Sequence, residues 1–270
     1  MNRITAALLD LKRLELLAHG DSSIHRIHPL AKTVVVIAFI ALVVSCNRYQ
    51  ISALLPFAVF PIVVTSQSGL PPVFILKKII LLLPLLLCAA LFNPIFDRES
   101  MLQIGSVTIS GGWISFFSIQ LRSVLTIGSA FILIGTTGLN AVCQALRCLG
   151  LPAVFTTQLL FLQRYIFVLA EESARASLAR ELRSCGNKGQ GIASYGSLVG
   201  QLLLRTFGRA ERVHAAMLAR GFTGELHDRR ARVFKTADLR FVIGWVTLFL
   251  IFRLHNLPMR IGSFVTATFP

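Results

Sequence analysis

Apolar and polar positions divide the chain into a polar lead, four apolar runs, one long charged block and a last apolar run. In residues 1–31, Ile4, Leu8, Leu11, Leu14 and Leu17 or Ala18 recur at helical spacing. That periodicity predicts a short amphipathic helix lying on the membrane or on the protein itself. Gly20-Asp21-Ser22 breaks it, and Pro29 stands where a new helix can start, because the N–H that proline lacks would be unpaired at that position anyway. Apolar runs then predict membrane helices over Thr33–Cys46, Ile51–Ser66, Ile79–Phe96 and Trp113–Gly135, and a last one over Phe241–Leu254. Pro56 and Pro61 fall inside the second run, where a membrane protein tolerates them. The segment Ala153–Ala170 is also apolar, but it holds Gln158, Gln163 and Arg164 and runs into Glu171-Glu172. We read it as a helix packed at the inner face rather than a crossing.

Composition supports a polytopic membrane protein. Of the 270 residues 54% are hydrophobic and 14% charged, with a mean hydropathy of +0.71; a soluble domain carries about 25% charged residues. The net charge of +15 is unevenly spread. Arg3, Lys12, Arg13, Arg26 and Lys32 precede the first run, Lys77 and Lys78 the third, and the block Glu171–Arg240 holds thirteen Lys/Arg against seven Asp/Glu. With simple alternation these sets fall on one side of the membrane, which is then the cytoplasm, N-terminus included. Only Arg48 and the mixed Asp97-Arg98-Glu99 face the other side. The domain plan is therefore 1–136 for the lead and four spans, 137–240 for a cytoplasmic region, and 241–270 for the last span and tail. A basic chain also suits nucleic acid, but this block sits between membrane runs and lacks interleaved aromatics, so no nucleic-acid partner is expected.

Candidate chemistry is sparse. His25 and His28 are three apart, yet His28 precedes a proline, which pushes it toward extended geometry, and no Asp, Glu or Cys follows at ligand spacing. Structural, hydrogen-bonding roles fit them better than a metal. Cys46, Cys88, Cys143, Cys148 and Cys185 are odd in number and contain no CxxC, so neither a disulfide framework nor a zinc site is expected. The N-terminus lacks the clean apolar core of a cleavable signal. No acid lies inside the five runs, which disfavours a stand-alone ion-coupled carrier or a membrane enzyme. Arg122 is the intramembrane charge: either a polar partner of Gln120 or a group that fixes helix packing. No catalytic residue, metal or cofactor is assigned.

The charged block holds two helical patterns that each end in an arginine. One is QLLFLQRYIFVLAEESARASLARELRSCG from Gln158; the other is SLVGQLLLRTFGRAERVHAAMLARGF, ending at Phe222. In the second, Val199, Leu203, Phe207, Ala210, Val213 and Met217 make one apolar face. Gly221 stands where a left-handed cap closes a helix, so the end presents Arg220 between the small Ala219 and Gly221. Arginine there offers a planar fork to a carboxylate. The first pattern closes on Arg183-Ser184-Cys185-Gly186.

These two endings, with SSIHRIHPLAK before the first run, TTGLNAVCQALRCLGLP after the fourth, RYIFVLAEE and above all RAERVHAAMLARGF, resemble the transmembrane T component of energy-coupling factor transporters, the CbiQ/EcfT family. The resemblance implies an all-α bundle of about five transmembrane helices with long crossed cytoplasmic coupling helices. It implies docking of two Ala-Arg-small motifs in two ABC-type ATPase subunits, and a separate substrate-binding membrane subunit. It places the second motif on Ala219, Arg220 and Gly221, intact, and the first on Leu182, Arg183 and Ser184, which departs from the family's alanine; Ala179-Arg180-Glu181 is an alternative. GNKGQG lacks the Lys-Ser/Thr ending of a phosphate-binding loop, so ATP hydrolysis falls to partners. The resemblance implies an importer subunit in the cell membrane for cobalt, nickel or a vitamin. The alternatives are a stand-alone carrier, or a scaffold binding acidic proteins or anionic lipid through the basic block.

Overall fold

A computed structural model describes residues 17–18, 20–47, 51–96, 100–104, 107–183, 192–224 and 234–254. The N-terminal amphipathic expectation, Ser184 and the tail after Leu254 therefore lie outside the described residues. The protein is an α-helical membrane bundle with, among the described residues, one small hairpin of strands, and it divides into two compact units.

The first unit comprises Leu17–Gly138 with Arg232–Pro270. Helix α1 (Ser23–Arg26) leads to α2 (Pro29–Val44), which has Pro29 at its first position and His28 as N-cap, the imidazole accepting from the Leu30 N–H. The expected second span is broken. It starts as α3 (Ile51–Leu54), tightens into a 3-10 turn at Leu55–Ala58 and resumes as α4 (Val59–Ser68). Pro56 sits in that turn, and both Pro56 and Pro61 remove an N–H from the helical ladder, so the chain rearranges locally instead of running straight. Helix α5 (Pro72–Phe96) exposes Val73, Leu81, Leu85 and Phe92, as a helix facing lipid does. Strands β1 (Ser100–Ile104) and β2 (Val107–Ser110) pair antiparallel, Ile104 opposite Val107. This hairpin was not expected. Its signal was present in the two-residue Gly105-Ser106 separating two short runs with β-formers.

Helix α6 (Gly111–Thr137) starts at once after the hairpin. Its small residues allow close packing: a Cβ on Gly128 would lie 3.5 Å from Ile79 Cδ1, and one on Gly135 3.4 Å from Leu70. Helix α10 (Thr236–Leu254) closes the unit. Its Phe249 is fully buried beside Phe39 of α2, ring centroids 5.3 Å apart, and Trp245 meets Phe60 of α4 edge-on at 4.9 Å. This aromatic cluster joins three separate stretches of chain.

Polar contacts fix the helix directions. At one end of α2, Asp238 of α10 accepts from the His28 N–H, and Lys32 donates to the Thr136 carbonyl at the end of α6. At its other end, the Cys46 carbonyl accepts from Arg122 and the Ser45 carbonyl from Arg253. So α2 and α10 run parallel and α6 runs against them, and the end of α6 lies level with the start of α10. Arg122 thus caps the carbonyl end of a neighbouring helix, which is the packing role rather than a Gln120 network. His25 bonds Ser22 Oγ at 2.7 Å and the Leu17 carbonyl at 3.0 Å, so His25 and His28 both serve hydrogen bonding.

The second unit comprises Leu139–Ala231 with Met1–Leu16. Helix α7 (Leu139–Cys148) precedes two long helices, α8 (Ala153–Arg183) and α9 (Ile192–Ala219). Burial pushes the Cys143 thiol of α7 up from its ordinary pKa, which disfavours the thiolate at neutral pH. Among the described residues, three helices are long and apolar enough to cross a membrane: Pro72–Phe92 within α5, α6, and α8, the last read from sequence as lying at the inner face.

Candidate functional site: two arginine-tipped helices

The site is the pair α8 and α9. Each forms because a long stretch lacks proline and glycine breaks strong enough to stop it. Their contacts descend one helix as they climb the other. Arg180 stacks on Tyr195, guanidinium carbon 3.7 Å from the ring centroid; Glu172 accepts from Arg209 at 3.0 Å; Thr157 donates to the Gly224 carbonyl at 3.3 Å. The helices therefore run antiparallel. Arg220 comes level with Phe161, roughly 22 residues below Arg183, so the two tips stand about 33 Å apart along the axis at ~1.5 Å per residue.

The Arg220 tip is a Schellman motif. Gly221 adopts φ +78°, the Phe222 N–H bonds the Met217 carbonyl at 3.0 Å, and the Gly221 N–H bonds the Leu218 carbonyl at 3.0 Å. Ala219, Arg220 and Gly221 are all exposed. Nothing lies within 4 Å of a Cβ built on Gly221. At the other tip Leu182, 74% exposed, and Arg183 are open to the surroundings. Arg180, the alternative first arginine, is half-buried under Tyr195 and braces the hairpin. Of the two candidate arginines, Arg183 is the more exposed.

The middle of the pair is held by charge. Glu172, with a side chain 15% exposed, reaches Arg209 at 3.0 Å and Arg205 at 3.9 Å. The carboxylate orients Arg209 through a charge-assisted hydrogen bond, while Arg205, 67% exposed, pairs with it more loosely. The apolar face expected on α9 divides in two. Ala210, Val213 and Met217 line a cavity of about 400 Å³ shared with Phe161 and Tyr165 of α8. Val199, Leu203 and Phe207 are exposed instead. Among the described residues no group of three metal-ligating side chains occurs.

Sequence reasoning missed Glu172, Tyr195, Lys32 and Asp238. Asp238 was visible as an acid just ahead of the last run. Glu172 was hidden, because its partner lies 37 residues away.

The chain is similar in sequence to known proteins. The family model described as cobalt transport protein, CbiQ, matches residues 20–231. The energy-coupling factor transporter transmembrane protein EcfT of Listeria innocua is 29% identical over 232 residues, covering 80% of this chain and 86% of that protein. The protein of the same name from Bacillus subtilis is 28% identical over 220 residues, 76% and 82% of the two chains. An uncharacterized protein of Methanocaldococcus jannaschii, MJ1571, is 26% identical over 215 residues, 76% and 73%.

Proposed function

The chain belongs to the CbiQ family of cobalt transport proteins, and from that premise we propose that its arginine-tipped hairpin couples two ABC-type ATPase subunits to a separate substrate-binding membrane subunit. At the coarser level the protein is a membrane component of an energy-coupling factor transporter. The observation that carries the finer proposal is the antiparallel geometry. It sets two exposed arginines at opposite ends of one braced rod, a spacing that suits one ATPase at each tip.

In this mechanism nucleotide-driven closure of the ATPases moves the two tips, and the hairpin passes the movement to the membrane helices. Leu182, Arg183 and Ser184 dock one subunit; Ala219, Arg220 and Gly221 dock the other. The arginines anchor and transmit force through contacts that differ between two states. They catalyse nothing. The cargo, a cobalt or nickel ion or a vitamin, is chosen by the substrate-binding subunit.

Topology supports the same arrangement. The end of α6 and the start of α10 lie at one level, so the chain between them crosses the membrane an even number of times. Arg205, Arg209, Glu211 and Arg212 within one stretch of α9 make a return crossing too costly. We therefore read this segment as making no crossing, with α8 at the inner face despite its length. The proposed topology then has five crossings, α2, α3 with α4, α5, α6 and α10, with the N-terminus in the cytoplasm.

The test is Arg183→Glu and Arg220→Glu, singly and together, in the chain expressed with its ATPase and substrate-binding subunits. Co-purification of the ATPases and ATP-driven accumulation of cargo, with the cobalt ion as first probe, should both fall. Full assembly and full uptake in the double variant would end the proposal.

A further inference from the structure

The segment that contains the hairpin leaves the membrane unit after α6 and returns to it before α10. The end of α6 and the start of α10 are pinned to the same turn of α2. At the exit, the Lys32 ammonium, buried to 5% exposure, donates to the Thr136 carbonyl at 2.9 Å. That carbonyl belongs to the last turn of α6 and has no partner within its own helix. At the return, Asp238, also 5% exposed, takes the Lys235 N–H on Oδ2 at 2.8 Å and the His28 N–H on Oδ1 at 2.8 Å. Its carboxylate lies between the N-termini of α2 and α10, where two helix dipoles favour negative charge. Phe234 packs edge-on against the His28 ring, centroids 5.5 Å apart. His28 and Lys32 stand one helical turn apart.

We infer that Lys32 and Asp238 are positioning residues for energy coupling: they fasten the end of α6 and the start of α10, the two helices that flank the hairpin segment in the chain, to the His28–Lys32 turn of α2, so that movement reaching either helix is shared by all three. This rests on the coupling function proposed above. A force entering through two chain ends moves a helix bundle only if those ends are held. Without a pin, α6 or α10 could move while α2 stays still. The two pins are chemically different, a cation on a helix C-terminus and an anion between two helix N-termini, yet they converge on five residues. Neither holds a docking arginine, so their loss need not disturb ATPase binding.

Lys32→Met keeps the length of the stem and deletes the donor. Asp238→Asn keeps the volume and turns one acceptor into a donor facing an N–H. Each variant is assembled with its ATPase and substrate-binding subunits in lipid nanodiscs and carries a spin label on Cys88, exposed on α5, with the other cysteines replaced by alanine. The readout is the nucleotide-dependent change in the label, beside ATPase rate and subunit stoichiometry. We expect assembly and hydrolysis within about twofold of the parent and a label response reduced roughly threefold to thirtyfold, restored in large part by Lys32→Arg and Asp238→Glu. An unchanged label response overturns the inference. So does a parent without any response, or a loss of response that always accompanies loss of assembly. The Arg183→Glu, Arg220→Glu double variant runs alongside. If it keeps its ATPases, the docking proposal fails; if it loses them while the pin variants respond fully, only the present inference fails.

Discussion

Gly221→Val probes the Arg220 tip without touching the arginine. The wild-type cap rests on the Phe222–Met217 and Gly221–Leu218 backbone bonds, each contributing about 1 kcal/mol net. A cap worth about 2 kcal/mol is formed about 97% of the time. Gly221 holds φ +78° with open space around it, so a substituent there meets a conformational cost and no neighbour. That cost is about 2 kcal/mol for alanine and about 3 kcal/mol for a β-branched residue. The capped fraction falls to about 50% with alanine and about 16% with valine, and the apparent affinity for the docking partner falls with it, about twofold and about sixfold. Asparagine tolerates left-handed backbone and should stay near wild type. The assay is titration of a purified ATPase subunit against the chain in nanodiscs, with the Arg183 tip disabled so that one site is read. Equal affinities for the valine and asparagine variants would refute the reasoning, because the cap geometry would then be irrelevant to docking.

Two other substitutions test the framework around the tips. Glu172→Ala leaves Arg205 and Arg209 facing each other without their carboxylate; with both guanidinia partly in solvent the loss is about 1 kcal/mol. It should appear as faster hydrogen exchange along the middle of α8 and α9, and unaltered exchange there would exclude Glu172 as the brace. Gly20→Ala sets a Cβ 3.1 Å from His25 Cε1, which costs about 1–3 kcal/mol if the ring must shift. A lowered melting temperature of the purified chain is expected, and one equal to wild type would show that the ring is free to move aside.

The helical class, the arginine endings and the glycine cap were legible in the residues because each is a local matter. Hydrophobic runs, a proline at a first turn and a glycine past a last one act over a few positions, and the Schellman bonds formed where Gly221 stood. The broken second span and the strand hairpin were also local, written in Pro56 and in Gly105-Ser106, but simple hydropathy averages such signals away. The face of α9 was half legible: spacing gives an apolar stripe, but only packing decides that Met217 and Val213 line a cavity while Leu203 and Phe207 stay exposed. What pairs across the chain was not legible at all. Asp238 reaches His28 over 210 positions, Lys32 reaches Thr136 over 104, and Glu172 reaches Arg209 over 37. Sequence determined that this protein would build long helices ending in exposed arginines. Only the tertiary fold decided that those ends point in opposite directions and that the end of α6 and the start of α10 meet on one turn of α2, because hydrogen bonds act over about 3 Å in space and carry no trace of the separation along the chain.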